Sequence, residues 1–486
     1  MKRRQMVKAM AATAAVPAVT AATGPASATA RPKGRDPLAF DPDAHTTLTA
    51  SVVTDEGEKT VTYRFFKAIP YVAEPVDLTY QTLNVSVPVA VDGHPVDATR
   101  APILLSNAVG GYMPSSTAGA TGISLNRPNP PLALAAGYVV VEPGARGRTL
   151  VDADGTYYGV APAAVVDLKA AVRYLRHNEG RIPGNTDRIV ATGVSAGGAL
   201  TSLLGATGDS RSYEPYLRAL GAADASDAIF AAAPYCPITD LEHADMAYEW
   251  NWGGNPLAGG SPVDQSLSRE LRGQFAEYQA SLRLDGRGGF GRLTARNYDT
   301  YLVSTYLEPS ASRYLAALAD DDRARYLAAN PWIDWNGHRA SFAWADFLTH
   351  VGARRKNVPS FDAFDLSTPE NNLFGRGTTR ARHFTPWSLR KATGDDRARL
   401  DADLREQLGL MNPMPSLARR NPHRARHWFI RVGTKDSDTS LTVVGNLAAA
   451  LENLGDDVDA FMYWDGGHGV NLDAPDFIDW VGRVCR

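Results

Sequence analysis

Cysteine is nearly absent: Cys236 and Cys485 are the only two in 486 residues, and no C-x-x-C pair occurs. That excludes a disulfide-stapled scaffold and a four-cysteine zinc site, and leaves open a single bridge between the two. An excess of one charge sign is missing too. Lys and Arg number 50 against 53 Asp and Glu, a net charge of −3, and no basic stripe or long basic tail appears, so nucleic acid is not an expected partner. No apolar run is long enough to span a bilayer, so no stable membrane anchor is expected. His423 and His427 have the H-x-x-x-H spacing of a metal pair. Arg424 and Arg426 lie between them, however, and Arg424 stands where a zinc protease needs Glu. No metal or cofactor is expected.

The first residues differ in kind from the rest. Lys2-Arg3-Arg4-Gln5-Met6-Val7-Lys8 is a twin-arginine pattern, followed by an Ala-rich stretch from Ala9 to Thr23 and small residues up to Ala30. This predicts a Tat export signal over 1–30, cut after Ala28 or Ala30, and a mature protein that is secreted.

The most informative segment is Gly193-Val194-Ser195-Ala196-Gly197. Upstream, Asp187 to Thr192 reads as a short buried strand, and downstream, Gly198 to Leu204 reads as the start of a helix. A sharp strand-to-helix turn exposes a serine in a strained conformation, and only small flanking residues let the two backbones pass. The helix start aims backbone N–H groups at any oxyanion that the serine creates.

A nucleophilic serine needs a base, and the base an orienting acid. His427 to Val432 predicts a strand that opens into Gly433-Thr434-Lys435-Asp436-Ser437-Asp438-Thr439-Ser440, with a helix from Leu441 to Leu454. Val458 to Trp464 predicts the next strand, leading to Asp465-Gly466-Gly467-His468-Gly469. A histidine among glycines just past a strand is poorly explained by packing, so His468 is the expected base. His177, His350, His423 and His427 lie in charged, helical or strand-edge settings that suit structural roles. Asp436 is the first acid after its strand and the expected orienting carboxylate, with Asp438 as the alternative; Asp465 precedes His468 too closely to reach its ring. Pro102 to Asn107 predicts an earlier strand with the glycine-rich loop Ala108-Val109-Gly110-Gly111-Tyr112. Gly110 or Gly111 should share an oxyanion hole with the N–H of Ala196.

Thr46 to Val91 alternates apolar and polar residues with breaks at Asp55-Glu56-Gly57 and Asp92-Gly93, which predicts antiparallel strands. Strand patterns at Gly137–Pro143 and Ala228–Pro234 and a helical pattern over Ala163–Asn178 then alternate, which predicts a mostly parallel sheet. The expected fold is therefore α/β, of the α/β-hydrolase kind, with a core over 31–238 and 423–486. From 239 to 422 strand patterns give way to helical, aromatic and charged segments such as Leu267–Leu284 and Tyr314–Leu327. That block should form a large, mainly helical cap or lid over the site.

Within it, Arg354-Arg355-Lys356-Asn357-Val358-Pro359 leads to Ser367-Thr368-Pro369-Glu370-Asn371-Asn372-Leu373-Phe374-Gly375. Together with the Gly-Val-Ser-Ala-Gly-Gly run, the Asp-Ser-Asp-Thr-Ser turn and the late His468, this resembles the bacterial (subtype B) tannases from about Tyr80 to the C-terminus. The resemblance implies a serine esterase that cleaves galloyl esters, its trihydroxyphenyl ring held by Lys356, Glu370 and Asp438, with Asp436 as the triad acid. Carboxylates accept from phenolic hydroxyls and an ammonium donates to them, so the chemistry agrees. The expected partner is a small phenolic ester. Three other readings compete: a feruloyl or general aryl esterase; an oligopeptidase-type hydrolase, which often adds a propeller whose blade repeats are missing here; and a non-catalytic binding protein, which has no reason to keep Ser195, Asp436 and His468 together.

Overall fold

The computed structural model describes residues 36–486, and the packed body runs from Leu38 to Arg486. The expected export signal at 1–30 lies outside the described residues. Strands β1 (Thr46–Thr54), β2 (Gly57–Pro70) and β3 (Thr82–Val91) form an antiparallel set. On β2, Val61, Tyr63 and Phe65 are buried while Thr60, Thr62 and Arg64 are not, the period-two pattern of a strand with one covered face. The short β4 (His94–Pro95) pairs with β3.

The remaining strands are parallel to one another: β5 (Pro102–Ser106), β6 (Val139–Pro143), β7 (Asn185–Val194), β8 (Ala231–Tyr235), β9 (His427–Gly433) and β10 (Asp457–Tyr463). The sheet order is β1-β2-β3-β6-β5-β7-β8-β9-β10, with β3 antiparallel to β6. Such strands are covered on both faces, which is why Val139–Val141, Ile189–Ala191, Ala231–Ala233 and Trp428–Ile430 are continuous apolar runs. Helices α1 (Ala163–His177), α2 (Ala196–Ala206) and α5 (Leu441–Asn453) connect consecutive parallel strands. This is an α/β-hydrolase fold, a mostly parallel sheet flanked by helices.

Between β8 and β9 the chain forms helices, including α3 (Leu241–Trp252) and α4 (Gln265–Leu282), and two hairpins of paired dipeptides. The single helical segment expected over Tyr314–Leu327 is two helices, Glu308–Ala317 and Asp320–Ala329. Leu318 and Ala319 between them are extended, and three aspartates open the second helix, where they favour its positive N-terminal end. No helix among the described residues is long and apolar enough to cross a membrane.

Because β5, β7, β9 and β10 are parallel, their C-terminal ends share one edge of the sheet. The Gly110–Gly111 loop, Ser195, Asp436 and His468 each follow one of those ends, the position where open α/β sheets place their ligands.

Candidate active site

Ser195 is the residue between β7 and the first turn of α2, with φ 61° and ψ −120°. A non-glycine residue pays strain for that conformation, and the surroundings hold it there. Its N–H donates to the Tyr235 carbonyl at 3.0 Å, and its carbonyl accepts from Ile238 N–H at 3.2 Å, so the end of β8 and the loop after it pin the turn on both sides. Gly198 is needed for the same crossing: a Cβ there would lie 2.4 Å from the Tyr235 carbonyl oxygen.

Ser195 Oγ lies 2.8 Å from His468 Nε2, and His468 Nδ1 lies 3.0 and 2.9 Å from the two carboxylate oxygens of Asp436. Asp436 is fully buried and also accepts from the N–H of Asp438 at 3.0 Å. The loops carrying the acid and the histidine are tied through Lys435 N–H to the Gly466 carbonyl at 2.8 Å. Burial by itself would lower the pKa of His468; the hydrogen bond to Asp436 and the adjacent Cys236 sulfur reverse this and raise it.

Asp438 is not equivalent to Asp436. Its nearer oxygen is 4.0 Å from His468 Nδ1 and 2.7 Å from Arg355 Nη1. Asp465 faces away from His468, accepting from His350 Nε2 at 2.6 Å and Tyr326 Oη at 2.5 Å and pairing with Lys435 Nζ at 2.9 Å.

The loop after β5 turns at Gly111 and Tyr112, with φ of 54° and 55°, and the Gly110 carbonyl accepts from Met113 N–H at 2.9 Å. Arg148 Nε holds the Gly111 carbonyl at 2.8 Å, and Tyr112 Oη donates to the Ile238 carbonyl at 2.7 Å. Gly111 faces the cavity that contains Ser195; Gly110 is not among the residues lining it. Ala196 is the first residue of α2, so its N–H has no acceptor within the helix.

Ser195, His468 and Gly111 line a cavity of about 820 Å³ whose other walls come from Ile238, Asp438 and three stretches of the chain between β8 and β9, 355–360, 363–365 and 367–370. Lys356 and Glu370 both line it. Lys356 Nζ sits 3.5 Å from the centroid of the Phe361 ring, a cation–π contact. Glu370 is 7% exposed. Its carboxylate has no hydrogen bond or ion pair among the described residues. Thr368, not Glu370, caps the short helix Pro369–Leu373 by accepting from Asn371 N–H.

The run Arg354-Arg355-Lys356 therefore splits into separate environments. Arg354 is fully buried against Glu249 beneath the cavity wall, Arg355 pairs with Asp438, and Lys356 lies over Phe361. Sequence reasoning missed both ion pairs, and it missed Cys236, whose sulfur approaches His468 from the position just past β8. The three donor atoms of Cys236, Asp436 and His468 lie within 4.8 Å of one another, as do those of Asp240, Glu242 and His243. Hydrogen bonds already engage both clusters: His468 to Asp436 in the first, and His243 Nδ1 at 2.7 Å from Asp240 in the second. His423 and His427 pair separately with Asp209 and Asp457, at 3.1 and 2.9 Å. Cys236 and Cys485 are both free thiols.

Residues 110–265 match the BD-FAE family model. A stretch of 88 residues is 35% identical to esterase LipQ of Mycobacterium tuberculosis, covering 18% of this chain; the chain thus spans only 20% of the length of that curated relative. The structure of Fusobacterium nucleatum tannase is similar with a TM-score of 0.82 and 35% identity, covering 92% of this chain and 99% of that one. A tannin acyl hydrolase solved in complex with ethyl gallate is similar with a TM-score of 0.79 and 36% identity, again over 92% of this chain and 99% of that one.

Proposed function

This chain belongs to the bacterial tannase family and is a carboxylic ester hydrolase, and from that premise we propose that it hydrolyses galloyl or related phenolic esters through a Ser195–His468–Asp436 acyl-enzyme mechanism. The observation that carries the reading is one cavity lined both by Ser195 and His468 of a Ser–His–Asp hydrogen-bond chain and by three side chains suited to phenolic hydroxyls.

In this mechanism His468 Nε2 takes the Ser195 proton as Oγ attacks the ester carbonyl. Asp436 keeps the ring in the tautomer that presents Nε2 and stabilises the imidazolium formed. The Ala196 N–H and an N–H of the Gly110–Gly111 loop stabilise the oxyanion, and His468 returns the proton to the departing alcohol. Water then repeats the sequence on the acyl-enzyme and releases the acid.

Glu370 and Asp438 accept from ring hydroxyls, and Lys356 donates to one. Glu370 is the strongest of these assignments, because its largely buried carboxylate faces the cavity with no hydrogen-bond donor among the described residues, so a donor from a ligand would satisfy it. The insertion over 239–422 acts as the cap that supplies Lys356 and Glu370. The twin-arginine run at Lys2–Lys8 supports export through the Tat pathway; Arg3→Lys with Arg4→Lys should retain the protein in the cytoplasm.

The test is turnover of methyl gallate, methyl ferulate and p-nitrophenyl acetate side by side. A clear preference in kcat/KM for methyl gallate is expected. Preference for the ferulate would move the substrate to hydroxycinnamoyl esters, and turnover of none would leave a binding protein on a hydrolase scaffold.

A further inference from the structure

The oxyanion donors of the proposed mechanism come from two separate elements, the first turn of α2 and the loop after β5. Their spacing has to be held by something that touches both. Asn107, the first residue after β5, is 4% exposed, and its side chain does this. Its Nδ2 lies 3.0 Å from the Thr192 carbonyl on β7, 3.2 Å from the Gly197 carbonyl and 3.1 Å from Thr201 Oγ1 on α2. Its Oδ1 accepts from the N–H of Val109 in the loop at 3.3 Å.

The glycines on either side of Ser195 make room for that carboxamide. A Cβ at Gly193 would lie 2.3 Å from Asn107 Nδ2, and one at Gly197 would lie 2.5 Å from Asn107 Oδ1. The G-x-S-x-G spacing is thus tied here to a side chain nearly ninety residues upstream, beyond the backbone crossing that such turns always need. Behind it, Arg127 Nη1 donates to the Asn107 carbonyl at 3.0 Å and to Ser106 Oγ at 3.0 Å, while Arg127 itself is paired with Glu142.

We propose that Asn107 is a positioning residue: its buried carboxamide locks the loop after β5 to the turn around Ser195 and so sets the distance between the oxyanion donors and the nucleophile. This rests on the reading of Ser195 as nucleophile. It predicts a specific defect. Displacement of donors by about an ångström costs on the order of a hundredfold in rate, and it does so for every ester, because every ester passes through the same oxyanion.

Asn107→Ala is the direct test. The Thr192 carbonyl keeps the backbone N–H of Asn107, at 3.1 Å, and the Gly197 carbonyl keeps the Thr201 hydroxyl, at 2.9 Å, so the fold should survive. The expected result is a fall in kcat of about a hundredfold on both methyl gallate and p-nitrophenyl acetate. KM for methyl gallate and the dissociation constant of gallate should stay within about threefold, since the ring contacts are untouched. The rate of covalent labelling by a fluorophosphonate should fall in parallel with kcat.

A folded Asn107→Ala with wild-type kcat, or with its loss confined to KM, would overturn the proposal. Should that variant not fold, Thr201→Val removes one of the acceptors of Asn107 without changing side-chain volume. It should lower kcat on both esters about fivefold, and an unchanged kcat would refute the idea. Peptide mapping of the labelled wild-type protein separates the two claims. Label on a residue other than Ser195 overturns the nucleophile assignment, whereas label on Ser195 at an unchanged rate in Asn107→Ala overturns only the positioning role.

Discussion

Replacing Glu370 should cost activity on hydroxylated esters while leaving stability nearly unchanged, which is a strict test of its role. Its carboxylate lines the cavity, is 7% exposed and has no hydrogen bond or ion pair among the described residues. In the unliganded protein Arg148 is near enough to attract it, but no hydrogen-bond donor among the described residues reaches its oxygens, which face the cavity. If a ring hydroxyl of the substrate supplies the missing donor, that bond is charge-assisted and contributes about 1.5–3 kcal/mol. At about 1.4 kcal/mol per decade, Glu370→Ala should cost roughly 10- to 150-fold in kcat/KM for methyl gallate. Glu370→Gln keeps a neutral acceptor of the same shape and should lose about half of that free energy, roughly three- to tenfold. Methyl benzoate, which has no ring hydroxyls, should change little with either variant. The thermal midpoint of unliganded Glu370→Gln should stay close to wild type, because no hydrogen bond is lost and the lost attraction to Arg148 is offset by removing a charge from a largely buried site. Steady-state kinetics on the two esters and a thermal melt decide the matter. Equal losses on gallate and benzoate, or a lowered midpoint, would make Glu370 a structural support of the cavity wall and refute the reasoning.

Ser195→Ala and His468→Ala should each abolish ester turnover, by about a millionfold, with circular dichroism unchanged; substantial residual activity in either would break the triad assignment. Asp436→Asn should lower kcat by about 10⁴-fold, and Asp438→Asn should impair hydroxylated aromatic esters while sparing p-nitrophenyl acetate. If Asp438→Asn abolished acetate hydrolysis and Asp436→Asn did not, the two roles would exchange. Catalysis needs neutral His468, and its environment raises its pKa, so activity should rise with pH along a limb lying above the usual histidine range. The residual activity of Asp436→Asn should show that limb displaced to lower pH. Asp465 is held down to about 2 against the effect of burial by His350, Tyr326 and Lys435. A depressed acid stabilises the fold above its unfolded pKa, near 4, and that contribution vanishes as pH falls through about 2. Asp465→Asn should therefore cost about 1–2 kcal/mol at pH 7, allowing for partial exposure, with a correspondingly smaller loss on acidification in denaturant titrations.

The elements were legible in the sequence because their causes are local. Continuous apolar runs marked the doubly covered strands, alternation marked β1 to β3, and small residues around Ser195 marked a tight turn between β7 and α2. The positions of Asp436 and His468 just past their strands were legible for the same reason. The helix break at Leu318–Ala319 was not, since apolar residues at helical spacing continue across it and mask the acidic start of the second helix at Asp320–Asp322. Two acids separated by one residue, Asp436 and Asp438, look alike in a string of letters. Tertiary structure distinguishes them, by burying one against His468 and setting Arg355 beside the other. The same holds for Arg354-Arg355-Lys356, a uniform basic run whose members meet Glu249, Asp438 and Phe361 from distant parts of the chain. Cys236 and Asn107 carried no local signal, for their meaning lies in which remote atoms they touch. Backbone pattern and motif order are properties of neighbours along the chain. Partner identity, burial and charge balance are properties of neighbours in space, and only the folded arrangement of β5, β7, β8, β9 and β10 decides those.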